Sequence, residues 1–229
     1  MKVYCINLQR RPDRREKVEK EFQREGLENV EFFTATDGCD HPRMNRGECG
    51  CTDSHIRVWR DIVAKGHPWA LVFEDDARLV EGFKERLDEV LPDLPNDWDY
   101  VNLGAVPGFN LFERRVSRNL IKGSSTTAHA YIISQKGAQH LSHWKTSDVH
   151  FIVDMQVART PMNMFYTEKP IAFQNVRGWP VVGFLWSVMD GDLGLFRQSQ
   201  DFDFGLRTQW PWIIYFLLVL LVCYATLRL

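Results

Sequence analysis

Three consecutive carboxylates, Glu74, Asp75 and Asp76, follow directly on the apolar run Trp69 to Phe73. Adjacent like charges repel, so a bound cation is the simplest compensation. Oxygen donors of this kind suit manganese or magnesium, which bind through one or two carboxylates plus substrate phosphates. In an extended segment Glu74 and Asp76 share a face while Asp75 points away, so Glu74 and Asp76 are the expected metal ligands. A solvated acidic loop is the alternative for the cluster taken alone.

A second constellation runs from Asn7 through Arg10, Arg11, Arg14 and Arg15, with Pro12 at the expected first turn of a helix. Cations at a helix start oppose the macrodipole unless an anion is present, and a diphosphate would supply one. Arginine clamps such groups bidentately, so Asn7, Arg10, Arg11 and Arg14, together with Glu74 and Asp75, are expected to contact a nucleotide diphosphate. A solvated basic face is the competing explanation.

The elements around these residues follow the apolar period. Val3 to Leu8 reads as a strand, Gln9 to Glu25 as a helix and Val30 to Ala35 as a second strand. Gly47 to Lys65 reads as a helix with Ile56, Trp59, Ile62 and Val63 on one side. Trp69 to Phe73 is fully apolar, which predicts a central parallel strand. Phe83 to Val90 is helical, Tyr100 to Leu103 and Ala128 to Ile133 are strands, and Ser134 is the N-cap of a further helix. The alternation predicts an α/β fold, a mostly parallel central sheet with helices on both faces, whose ligands bind beyond the strands' carboxyl ends.

At 229 residues, with 45% hydrophobic and 25% charged side chains, the chain has ordinary globular composition. Its net charge of −2 and dispersed basic residues exclude a nucleic-acid footprint. Five cysteines, an odd number in a chain this long, favour a reducing compartment, and the spacing of Cys39, Cys49, Cys51 and His55 does not fit a zinc knuckle. No Asn-x-Ser/Thr acceptor occurs. Trp210 to Leu227 is an uncharged apolar run of 18 residues, about the length that spans a hydrocarbon core. The expected organisation is a catalytic domain over 1–190, a tether over 191–209 and a transmembrane anchor over 210–227. The amino end carries no signal peptide, so the catalytic domain is expected to be cytosolic, tethered to the lipid bilayer through its C-terminal helix.

Several motifs occur in order: Ile6 to Arg14 (Ile-Asn-Leu-x-Arg-Arg-x-x-Arg), Gly47 to His55 (Gly-Glu-x-Gly-Cys-x-x-Ser-His), and Glu74 to Asp76. Ala130 to Ala138, Val153-Asp154 and Pro170 to Gln174 follow. Together they make the stretch from Val3 to Ser187 resemble glycosyltransferase family 25, which includes lipooligosaccharide and procollagen galactosyltransferases. The resemblance implies a glycosyltransferase A-type fold, a divalent ion beside Glu74 to Asp76, a UDP-sugar donor and inversion at the anomeric carbon. Cys49 departs from the family pattern, and the chain from Gly191 onward lies outside it.

Inverting transfer needs a base for the acceptor hydroxyl. Asp154, in the otherwise apolar Phe151 to Asp154, is the candidate, with a helix cap or an acceptor contact as the alternatives, while Asp148 reads as a helix cap. Ser54, His55 and Cys51 read as structural, and no Gly-x-Ser-x-Gly elbow supports a serine hydrolase. The expected activity is transfer of galactose or glucose from a UDP-sugar to a glycan or glycosylated acceptor. An inactive binding protein on the same fold and a metal-dependent nucleotide-sugar hydrolase are its rivals.

Overall fold

Strand and helix alternate from the amino end because the apolar period switches between two and about 3.6 residues. The computed structural model describes residues 1–105 and 114–174. Strand β1 (Lys2–Asn7) leads into α1 (Pro12–Arg24), where Pro12 occupies the first turn as expected. β2 (Val30–Thr34) and α2 (Arg46–Ala64) follow, then β3 (Trp69–Glu74), β4 (Ala77–Leu79) and α3 (Phe83–Val90). The remaining elements are β5 (Tyr100–Asn102), β6 (Arg114–Arg115), β7 (Leu120–Lys122), β8 (Ala130–Ser134), α4 (Gln135–Ser142), α5 (Val153–Ala158), β9 (Met164–Thr167) and β10 (Ala172–Gln174).

Eight strands form one sheet in the order β2-β1-β3-β8-β5-β9-β7-β6, and β10 pairs with β4 separately. Alternate residues of each central strand feed two cores. Val3, Cys5, Leu71, Phe73 and Ile132 pack with Val18 and Phe22 of α1 and with Phe83 and Leu87 of α3. Tyr4, Ile6, Val72, Tyr131 and Ile133 pack with Ile56, Trp59 and Ile62 of α2, with Leu141 of α4 and with Val157 of α5. Helices therefore cover both faces, and each fully buried large apolar side chain contributes about 1.5–3 kcal/mol.

The expectation of a mostly parallel sheet needs correction. β1 runs parallel to β2 and β3, and β5 to β9, but β8 is antiparallel to both β3 and β5, and β7 is antiparallel to both β6 and β9. β3 is thus parallel on one side only. A strand buried on both faces is continuously apolar whichever way it runs, so composition does not carry direction.

The helix starts show why these segments stop and turn where they do. Asn45 accepts from the Glu48 backbone N–H at 3.0 Å, and the Glu48 carboxylate accepts from the Asn45 N–H at 3.0 Å, a reciprocal cap on α2. Ser134 caps α4 by accepting from the Gly137 N–H at 3.0 Å. Asp148, expected to be a helix cap, lies instead in a separate 3₁₀ turn, Thr146–Asp148, and α5 opens after Ile152 with no side-chain cap. Gly50 lets α2 lie against the loop after β2, since a Cβ there would sit 2.5 Å from the Thr36 carbonyl oxygen.

Cys39 and Cys49 are joined by a disulfide, while Cys5 and Cys51 are free. This bond removes two of the thiols weighed for zinc. It also counts against the expected reducing compartment, because disulfides persist mainly in oxidising ones. The chain divides after Asn175. The end of the expected catalytic domain, the tether and the anchor lie outside the described residues. Among the described residues no helix is long and apolar enough to cross a membrane.

Candidate active site

β1, β2 and β3 run side by side in one direction, so their carboxyl ends open on a common crevice. A cleft of about 280 Å³ lies there, walled by Leu8, Arg10 and Arg14 from the start of α1, Thr36 to Gly38 after β2, and Cys51, Ser54 and His55 of α2. Glu74 and Asp75 line it at the end of β3. Glu74 and Asp75 are thereby brought to one place with Arg10 and Arg14, about 60 residues away in the chain, while Asp76 is not among the residues that line the cleft.

The three carboxylates have different partners. Glu74 is the last residue of β3, and its Oε1 faces His55 Nε2 at 3.2 Å and the Cys51 thiol at 3.8 Å. Burial opposes its charge, but the bonds from His55 and Cys51 outweigh that and hold its carboxyl below the usual range. Asp75 turns to the other side, accepting from Asn7 Nδ2 at 2.8 Å and from Arg14 Nη1 at 2.9 Å. Asp76 lies 3.8 Å from the same guanidinium and accepts from Gln174 Nε2 at 3.3 Å. Its Oδ1 is buried with no partner among the described residues. Burial, reinforced by the neighbouring Glu74 charge, pushes Asp76 up to about 7.

The opposition of Glu74 and Asp75 follows the strand alternation, but Asp76 does not simply return to the Glu74 side. Regular strand geometry ends at Glu74, and the turn through Asp75 and Asp76 brings both within reach of Arg14. The protein therefore compensates two of its three carboxylates itself, Glu74 by hydrogen bonds and Asp75 by an ion pair. Asp76 is the one of the three with a buried oxygen that has no partner among the described residues. An acid in that state, next to a second carboxylate, fits a hard divalent cation, with Asp76 and Glu74 as the oxygens that would hold it.

The arginines also divide. Arg10 reaches Asp37 through Nε at 2.9 and 2.8 Å, lies 60% exposed and borders the cleft. Arg14 borders it while paired with Asp75. Arg11 turns away onto Asp13 at 2.7 and 2.8 Å, and Arg15 stacks over Phe32 and pairs with Glu19. Asn7 is buried and acts on Asp75, away from the cleft lining.

Asp154 sits in the first turn of α5, its Oδ1 accepting from the next backbone N–H at 2.7 Å. Burial and the Glu74 charge both push its carboxyl up, so it shares an electrostatic neighbourhood with the cleft floor. Ser54 is structural as expected, accepting from the Thr36 N–H and donating to the Gly50 carbonyl. His55 does more than the structural reading allowed, because it contacts Glu74 directly.

Residues the motifs did not single out also shape the site. Thr36, Asp37 and Gly38 were recoverable from the rule that ligands gather beyond strand ends. His129 carried no such signal, and Gln174, although it closes the motif Pro170 to Gln174, was given no role by it. The His129 carbonyl accepts the Glu74 N–H at 2.9 Å, and its buried Nδ1 has no partner among the described residues.

The sheet order and the strand-end cleft define a mixed α/β protein with a crevice at the carboxyl ends of its parallel strands. The family model described as glycosyltransferase family 25 (LPS biosynthesis protein) matches residues 1–157, and the chain belongs to that family. It is 34% identical over 166 residues to a glycosyltransferase 25 family member of Aedes aegypti, covering 61% of this chain and 27% of that protein. It is 39% identical over 108 residues to a putative glycosyltransferase of Acanthamoeba polyphaga mimivirus, covering 40% and 33%. A human relative named inactive glycosyltransferase 25 family member 3 is 32% identical over 126 residues, covering 44% and 21%. The matched stretches thus span a third or less of these relatives' own length.

Proposed function

We propose that the chain is an inverting glycosyltransferase that moves galactose or glucose from a UDP-sugar to a hydroxyl of a glycan or glycosylated acceptor. The observation that carries this reading is Asp76, a largely buried acid with an unpartnered oxygen, set beside Glu74 and Asp75 at the end of β3. Buried acid oxygens are usually hydrogen-bonded, so an unpartnered one beside two further carboxylates is a position that a cation would satisfy.

In this reading Arg10 binds the donor diphosphate from the rim of the cleft. Asp76 and Glu74 would hold manganese or magnesium, and the bound ion would supply charge stabilisation for the departing diphosphate. Asp154 takes the proton of the acceptor hydroxyl as its oxygen bonds to the anomeric carbon and the bond to UDP breaks on the opposite face. The raised carboxyl of Asp154 suits a base, which must take up a proton at working pH.

The relatives named inactive favour a second reading, a binding protein on the same fold. Incubation with a panel of nucleotide sugars and manganese, with and without glycan acceptors, separates the readings by UDP release. Release that needs both metal and acceptor is the expected result. Release without acceptor indicates a nucleotide-sugar hydrolase, and none with any donor indicates the binding protein.

The run 210–227 supports a membrane anchor by its length and lack of charge. Resistance of the full chain to alkaline extraction from membranes is the expected outcome, and release into the soluble fraction would overturn it.

A further inference from the structure

Four side chains from α2, β8 and β3 form a hydrogen-bond chain that ends on Glu74. Trp59 Nε1 donates to the Tyr131 hydroxyl at 2.9 Å, and the same hydroxyl lies 2.9 Å from His55 Nδ1. His55 Nε2 then lies 3.2 Å from Glu74 Oε1. Trp59, Tyr131 and His55 are each at most 1% exposed, so the two bonds to the Tyr131 hydroxyl are closed to water, while Glu74 is partly exposed at the cleft.

The direction of the chain follows from what each group can do. Indole nitrogen only donates, so Tyr131 accepts from Trp59. Among the described residues the single Tyr131 proton has one remaining acceptor in reach, the lone pair of His55 Nδ1. With Nδ1 accepting, the ring N–H lies on Nε2, where Glu74 accepts it. The other tautomer would leave a fully buried hydroxyl proton without a partner, at a cost of about 1–3 kcal/mol.

We infer that His55 is a positioning residue for Glu74, held in its Nε2–H tautomer by Trp59 and Tyr131. The His55 N–H and the Cys51 thiol both engage Oε1, so the Glu74 carboxylate is fixed in rotation and Oε2 is the oxygen left to a cation. The purpose assigned to the chain rests on the metal reading above; its direction does not. A ligand's outer hydrogen-bond partner commonly sets its orientation, and removing one costs about 10–100-fold in metal affinity.

Two measurements test this. Nitrogen-15 histidine spectra of the metal-free, nucleotide-free protein should show His55 neutral and protonated on Nε2; a proton on Nδ1, or on both nitrogens, overturns the chain. Manganese titration should then separate two substitutions. His55→Gln retains an N–H near the Nε2 position and should bind manganese within a few-fold of the parent. His55→Leu has no donor and should bind about 10–100-fold more weakly. Parental affinity in a folded His55→Leu, or equal losses in the two folded variants, would overturn the positioning role. If His55→Leu does not fold, the spectra and His55→Gln still decide the question. Absence of manganese binding by the parent protein, with the expected tautomer, would instead overturn the metal reading and the purpose drawn from it.

Discussion

Arg14 serves two carboxylates at once, with Nη1 2.9 Å from Asp75 and 3.8 Å from Asp76. Arg10, four residues earlier, pairs with an exposed acid, Asp37, which is 59% exposed. Arg10 and Arg14, which border the cleft together with Arg46, therefore differ in what they support.

Arg10→Ala should weaken UDP-sugar binding with no measurable change in stability, because exposed ion pairs contribute little. Arg14→Ala should weaken binding and also lower stability by about 1–2 kcal/mol, less than a fully buried pair would lose, since Asp75 keeps Asn7 and Arg14 is partly exposed. Calorimetric titration with UDP and denaturant unfolding measure the two effects. Unchanged UDP affinity in both variants would return these arginines to a structural role.

Asp76→Asn should reduce manganese-dependent UDP affinity and turnover together, with turnover down by roughly 10²-fold or more. In the same reading, UDP should raise the melting temperature of the parent only when manganese or magnesium is present. Equal stabilisation by UDP in excess chelator contradicts the cation site.

Asp76 also makes a pH prediction for the metal-free protein. Its carboxyl moves from 3.8 to about 7 on folding, so between these values the folded state holds the extra proton. Stability from this group is highest below about pH 4 and falls as pH rises to about 7. Asp76→Asn lacks that titration, so its stability relative to the parent should improve across the same window. Denaturant unfolding of both proteins from pH 4 to 8 checks the sign, and manganese should reverse the parent's loss.

Asp154→Asn preserves side-chain size but cannot take a proton. Donor and manganese affinity should survive while transfer drops about 10²–10⁴-fold. Near-normal transfer in the folded variant would make Asp154 a helix-start or acceptor contact. Loss of manganese binding as complete as in Asp76→Asn would place both acids at one cation.

The Cys39–Cys49 bond ties the loop after β2 to the first turn of α2, and both segments border the cleft. Reduction should lower stability by about 2–3 kcal/mol, the scale for a short closed loop. Thermal unfolding with and without reductant, alongside thiol counting, measures it. Four unprotected thiols among Cys5, Cys39, Cys49 and Cys51 before reduction would show that the bond does not form.

What the sequence determined by itself was local. The short apolar runs Val3 to Ile6 and Ala70 to Phe73, the 3.6-residue period of α1 and α2, and Pro12 at a helix start are set by neighbours along the chain. So was the placing of Glu74 at the end of an apolar strand, because the change from apolar to acidic is written in adjacent residues. Tertiary structure decided what the chain's order does not encode. Arg14 meets Asp75 across 61 positions, and His55 meets Glu74 across 19, only because α1 and α2 pack on opposite faces of β3. The antiparallel course of β8 was equally hidden, since burial on both faces makes a strand apolar in either direction. The same limit left the Cys39–Cys49 pairing and the roles of Gln174 and His129 to the folded molecule. A side chain's partner depends on how separate elements dock, and period and composition report only which face of an element is buried.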